Sequence, residues 1–162
     1  MEMRPMVDFN GIVFRLAGVL FAIEAIRVRE VLGGVDLKPL YVSGQSQGFL
    51  QSRGRTLPVV DLRTALGLPS AAHEGPNSFL AVQTGEPGKV MALWVDAVVE
   101  MVTLPPAELK PLTGPVDVVP PGYLMSMFIR GDEAVYLLNM DRTLAIPERF
   151  ESENLELKNL AG

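Results

Sequence analysis

The second half of this chain repeats the first in order, and that repeat constrains the fold more than any single motif. Val28-Arg-Glu-Val31 is followed by Asp36-Leu-Lys-Pro-Leu40, and Val98-Val-Glu-Met101 by Glu108-Leu-Lys-Pro-Leu112. Further on, Pro58-Val-Val-Asp-Leu-Arg-Thr-Ala-Leu66 aligns without a gap on Tyr136-Leu-Leu-Asn-Met-Asp-Arg-Thr-Leu144, keeping the apolar positions and a carboxylate or amide at the strand end. Three matches in one order imply a duplication. Two similar lobes of roughly five strands each are therefore expected, over residues 11–69 and 78–146. A groove is expected where they meet.

Short apolar runs rich in Val, Leu and Phe, broken by Gly and Pro at intervals of about ten residues, point to an all-β protein. Candidate strands are 12–17, 19–23, 26–32, 49–51, 55–60, 78–83, 90–95, 97–104, 123–129 and 134–139. Pro58 lacks a ladder donor, so its strand is expected at an edge or at a bulge. Residues 62–66 and 142–145 read as single helical turns, the first ended by Gly67 and Pro69, the second by Pro147. The polar stretch 70–77 (SAAHEGPN) has no periodicity and reads as the hinge between lobes. Residues 105–122, with six prolines, read as a long ordered loop, and 147–162, with Phe150, Leu155, Leu157 and Leu160 among charges, as an amphipathic C-terminal helix.

A formal net charge of −5 gives no general attraction to phosphate, and no Lys/Arg stripe is present, so nucleic acid is not an expected partner. The absence of cysteine removes disulfides, thiolate nucleophiles and Cys-ligated metals together, and it fits the cytoplasm. Residues 1–10 carry Glu2, Arg4 and Asp8 and lack the apolar core of a secretory signal. The longest apolar run, 90–104, is interrupted by Asp96 and Glu100, so no membrane insertion is expected.

The chemistry needed for catalysis is thin. The single histidine, His73, lies in the polar hinge beside Glu74 and reads as a solvated loop residue. No metal-spaced His pair or phosphate loop occurs, and neither metal nor cofactor is expected. One catalytic alternative stands: a small groove-bearing β hydrolase or ligand-binding protein in which Glu30 and Glu100, at equivalent places in the two halves, share a groove.

The stretch Gly48-Phe-Leu-Gln-Ser-Arg-Gly-Arg-Thr-Leu-Pro-Val-Val-Asp-Leu62 resembles the signature of CheW-like domains, with Arg53-Gly54, Pro58 and Asp61-Leu62-Arg63 as its landmarks. Phe14 to Gly18 with Leu20 to Ile23 is similar to the family's opening hairpin, and Val28-Arg-Glu-Val31 to its Val-x-Glu-Ile/Val element. Leu93 to Met101 is similar to the Val-Asp-x-Val-x-Glu strand of the second lobe, and Tyr136 to Met140 to the closing strand. Gln51-Ser52, Tyr41 to Gln47 and Ser126 depart from the pattern, which marks a diverged paralogue in which one of the usual contacts is expected to be weakened.

The resemblance implies two SH3-like five-stranded β-barrels and a non-catalytic scaffold, monomeric alone, that couples a CheA-type histidine kinase to the cytoplasmic tips of chemoreceptors and is recruited to receptor arrays. The expected partner-binding residues are Arg53, Gly54, Glu30, Val28, Val98 and Met101. Arg53 has an alternative as an intramolecular partner of Glu30, and Val28, Val98 and Met101 have one as core residues.

Overall fold

A computed structural model describes residues 7–34, 39–41, 48–69, 77–112 and 119–144. The expected hinge, apart from Asn77, and the expected C-terminal helix lie outside them. Strands β1 (Phe9–Leu16), β2 (Val19–Glu24), β3 (Val28–Gly34), β4 (Leu40–Tyr41), β5 (Gly48–Ser52) and β6 (Arg55–Asp61) lead into the short helix α1 (Leu62–Ala65). The second half follows with β7 (Asn77–Gln83), β8 (Val90–Val95), β9 (Ala97–Leu104), β10 (Leu124–Arg130), β11 (Glu133–Leu138) and the helix α2 (Met140–Leu144). Among the described residues no helix is long and apolar enough to cross a membrane.

Two sheets result, ordered β10-β11-β2-β1-β9 and β3-β7-β8-β6-β5-β4. The all-β, two-lobed expectation holds, but the contiguous lobes 11–69 and 78–146 do not match these units. The hairpin β1–β2 is built into the sheet of the second half, and β7–β8 into the sheet of the first. Burial gives the reason. Ile12, Phe14, Leu16, Phe21 and Ile23 face a core shared with Leu80, Val82, Met91, Leu93 and Val95. Alternate residues of the same hairpins fill two smaller cores, Val13, Leu20 and Ala22 with Phe128, Val135 and Leu137 in one sheet, and Phe79, Ala81 and Ala92 with Leu32, Leu50, Leu57 and Val59 in the other. Each hairpin is a wall with apolar contacts on both faces, which is why its sequence runs apolar without alternation. The space expected to be a groove is occupied by the largest of the three cores.

The duplication is visible in the register. Val13 pairs Ala22 on one side and Glu100 on the other; Ala81 pairs Ala92 and Glu30 in the same way. Both ladders are interrupted just before the glutamate, so Arg29 and Val99 sit at matching bulges. Val59 and Leu137, aligned in the sequence repeat, run parallel to the hairpins of the opposite half and face Ala92 and Ala22. The two-residue strand β4 makes the sheet of the first half six-stranded; in the corresponding place of the other sheet, the described residues show the isolated bridge Lys110↔Met127 against β10.

Pro58 lies in an internal strand, contrary to expectation. The turn Arg53-Gly54 closes the Ser52↔Arg55 pair, with φ of +51° and +74°, the two-residue geometry of a type I′ hairpin. Counting back along the antiparallel ladder, Phe49↔Pro58 is a non-hydrogen-bonded pair, and β8 joins only from Val59. The missing N–H therefore faces no ladder partner. The strand-end Asp61 and Asn139 are helix caps, accepting the Arg63 amide at 3.1 Å and the Arg142 amide at 3.3 Å. Gly67 at φ +72° closes α1, with Leu68 N–H donating to Arg63 C=O at 2.8 Å and Gly67 N–H to Thr64 C=O at 3.2 Å, a Schellman motif.

The chain crosses between sheets after β2 and after β8, and an ion pair pins each crossing. Asp96 receives Arg63 of α1 through both oxygens, with Nε to Oδ1 at 2.7 Å, and its Oδ2 also accepts the Ala17 amide of the β1–β2 turn at 2.7 Å. The hydrogen bond that Arg63 donates to Asp96 raises the Arg63 pKa above its ordinary value. At the other crossing the signs are reversed: Arg27 donates to Asp141 of α2 at 3.0 Å. Only the first is largely enclosed, with side-chain exposures of 15% and 18% against 86% for Asp141.

Two outcomes follow for stability. Phe21 is fully buried between Phe14 and Tyr136, at ring separations of 6.2 and 6.3 Å, so Phe21→Ala is expected to cost about 3–5 kcal/mol in denaturant unfolding. In double-mutant cycles, Arg63→Ala with Asp96→Ala should couple by about 1 kcal/mol or more, and Arg27→Ala with Asp141→Ala by less than about 0.5 kcal/mol. Equal coupling at the two crossings would show that enclosure does not set their strength.

Candidate interaction site

The edge strand β3 and the β5–β6 turn carry the candidate residues of the first half. Glu30 stands after the bulge in β3, and its carboxylate receives Arg53 at 2.9 Å and Arg55 at 3.8 Å. Since β3 is one edge of its sheet and β5–β6 lies near the other, these pairs tie the two edges together as the sheet curls round its small core. The five-stranded sheet repeats the device, with Glu100 of the edge strand β9 paired to Arg130 at the end of β10. The Glu100 hydrogen bond raises the Arg130 pKa.

Arg53 is both the expected partner residue and the expected intramolecular partner of Glu30. Its guanidinium is 79% exposed while Glu30 is only 21% exposed, so the carboxylate anchors an arginine that still faces solvent. Its backbone sits in the left-handed region at φ +51°, which costs a non-glycine residue roughly 1 kcal/mol. Gly54, at φ +74°, takes the neighbouring position without that cost.

The apolar candidates divide. Val28 and Val98 are partly buried and pack against the shared core, in register with Val82 and Phe14, so the core alternative holds for them. Met101 is 68% exposed. It lies opposite Ile12, whose side chain enters the shared core, so Met101 sits on that face of its sheet but beyond the covered area. Its counterpart Val31, opposite Leu80, is 51% exposed and was not singled out from the sequence, although the repeat aligns it with Met101. Arg55 was also missed; the hairpin places it across from Ser52 and within reach of Glu30.

Glu30 and Glu100 belong to different sheets, and each is engaged by arginine of its own sheet. The described structure therefore does not bring them together as the shared catalytic pair that a hydrolase reading requires. Among the described residues no group of three or more His, Asp or Glu is placed to hold a metal ion.

Comparison with known proteins agrees with this architecture. Two curated relatives are each 28% identical: the chemotaxis protein CheW of Rhizobium meliloti (strain 1021) over 101 residues, and the probable chemotaxis protein CheW of Rhizobium etli over 105. The matches take in 62% and 64% of this chain and 64% and 66% of the relatives, so the chain spans just under two thirds of their length. The crystal structure of the scaffolding protein TtCheW from Thermoanaerobacter tengcongensis superposes with a TM-score of 0.69 at 21% identity, covering 82% of this chain and 90% of that one, a likeness of fold. The profile of the CheW-like domain matches residues 10–148, nearly the whole span of the two exchanged sheets, and the chain belongs to the CheW-like domain family.

Proposed function

We propose that this protein is a non-catalytic adaptor of chemotaxis signalling that couples a CheA-type histidine kinase to the cytoplasmic tips of chemoreceptors. One observation beyond family membership supports this reading: an exposed arginine, Arg53, held by Glu30 at the tip of a tight hairpin in a strained backbone conformation. Strain of this kind persists where surrounding structure enforces it, and it is concentrated at functional positions. A guanidinium tethered at one carboxylate keeps donors for a second acceptor, and its planar fork suits a carboxylate or backbone carbonyl on a receptor helix. Gly54 sets the turn, Glu30 orients the arginine, and exposed Met101 on the other sheet offers an apolar contact. Val28 and Val98 shape the edges from beneath. In this reading the protein acts in the cytoplasm at receptor arrays.

The test separates binding from folding at one position. Arg53→Ala should weaken receptor-tip binding more than tenfold, about 2 kcal/mol at an interface hot spot, while unfolding changes by less than about 1 kcal/mol because the ion pair is exposed. Arg53→Gly relieves the left-handed backbone and should be at least as stable as the wild type, yet bind as poorly as Arg53→Ala. Arg55→Ala serves as the neighbouring control, and pulldowns against kinase and receptor tip are run separately. If Arg53→Gly binds both partners as the wild type does, the assignment of this arginine fails.

A further inference from the structure

The contacts that join the two halves of this chain belong to a complementary pair of surfaces, and only residues 70–76 tie those halves covalently, since the chain has no cysteine. On one side, β1 pairs β9 from Phe9↔Leu104 to Arg15↔Ala97, and β2 pairs β11 from Leu20↔Val135 to Ala22↔Leu137. On the other, β7 and β8 pair β3 and β6. The crossing ion pairs Arg63–Asp96 and Arg27–Asp141, the surface pair Arg15–Glu133 and the Thr103–Asn10 hydrogen bond all run from one half to the other. By contrast, Arg53–Glu30 and Arg130–Glu100 stay within a half. Separating the halves would strip cover from Val13, Phe14, Phe21, Phe79, Leu80 and Leu93, all fully buried. Every one of these contacts is satisfied equally well by the corresponding half of another molecule.

We infer that a second copy of this chain is a partner by reciprocal exchange, residues 7–69 of each molecule pairing with residues 77–144 of the other. The exchanged dimer keeps all the ladders, both crossing ion pairs and the three cores, and it presents two copies of each Glu30–Arg53 edge. Its population is set by competition with the tethered half, whose effective concentration over a short connection is on the order of millimolar. Exchange is thus expected on refolding at about 1 mM protein and suppressed at about 10 µM.

The absence of cysteine makes a clean test possible in the full-length protein. Asn10 and Thr103 are exposed, in register and side-chain bonded at 2.8 Å, so cysteines there suit a disulfide. Asn10→Cys and Thr103→Cys chains are mixed, unfolded together, refolded at about 1 mM and about 10 µM, and then oxidised. The expected result is a disulfide-linked Asn10→Cys/Thr103→Cys dimer at 1 mM, at least tenfold above its yield at 10 µM and above the yield of a Thr103→Cys/Asp132→Cys control pair, which is out of register. Thermal unfolding under reducing conditions checks that each variant folds, and Arg15→Cys with Ala97→Cys is a second in-register pair should one of the first fail. Cross-linking no greater than the control pair at 1 mM overturns the inference. So does equal cross-linking on mixing without unfolding, since that reports contact between intact surfaces.

Discussion

Two hairpins with apolar contacts on both faces constrain everything else in this protein. A hairpin with large side chains on each face has no stable place at the surface of a single sheet, because one face would stay in water. Burying Phe14 and Phe21 on one side and Val13 and Leu20 on the other needs two apolar partners, and the chain supplies them by lending each hairpin to the sheet of the other half. At roughly 25 cal/mol per Å² of apolar surface, burial of this shared wall contributes most of what holds the halves together, well above any of the ion pairs that cross it.

The exchange creates a second requirement, since the chain must cross between sheets twice in short connections. At the β8–β9 crossing, Asp96 satisfies the Ala17 amide and takes up the Arg63 guanidinium, so one carboxylate fixes a turn in one sheet and a helix following the other. At the β2–β3 crossing a three-residue 3₁₀ turn does the geometric work and Arg27 meets Asp141 near the surface. Asp141 aligns with Arg63 in the repeat, so the two halves kept the clamp while reversing its sign. Coulomb attraction is indifferent to which side carries which charge, and the duplication could diverge there without loss of the contact.

The candidate site inherits its shape from the same arrangement. Because β3 and β9 are the outer strands of their sheets, Glu30 and Glu100 come to lie where each sheet closes on itself, and each meets arginine from the hairpin opposite. The first of these arginines stands out in solvent on a strained turn, and the proposed coupling role rests on it. The exposed apolar residues Val31 and Met101 lie on the continuation of the face that carries the shared core, so any partner engaging them would extend a surface the fold has already made apolar.

The local content of the fold was legible in the chain itself. Periodicity and punctuation located every longer strand, the turn residues Arg53-Gly54 and Gly67 marked real stops, and the repeat revealed that β3 and β9, or β6 and β11, are equivalent. The carboxylate or amide closing the aligned strands proved to be a helix cap, which follows from short-range geometry alone. Which strand pairs with which was decided by tertiary structure. A duplicated sequence is equally compatible with two contiguous lobes and with two exchanged ones, since both make the same kinds of antiparallel and parallel pairs. Nor did a run such as Leu20-Phe-Ala-Ile23 say whose surface would cover its second face. The sorting of Val28, Val98 and Met101 into packed and exposed residues belongs to the same category, because it depends on where the opposite sheet ends. The tight hold of Glu30 on Arg53 does too, because it joins residues from opposite edges of a curled sheet, a closure that no local pattern encodes.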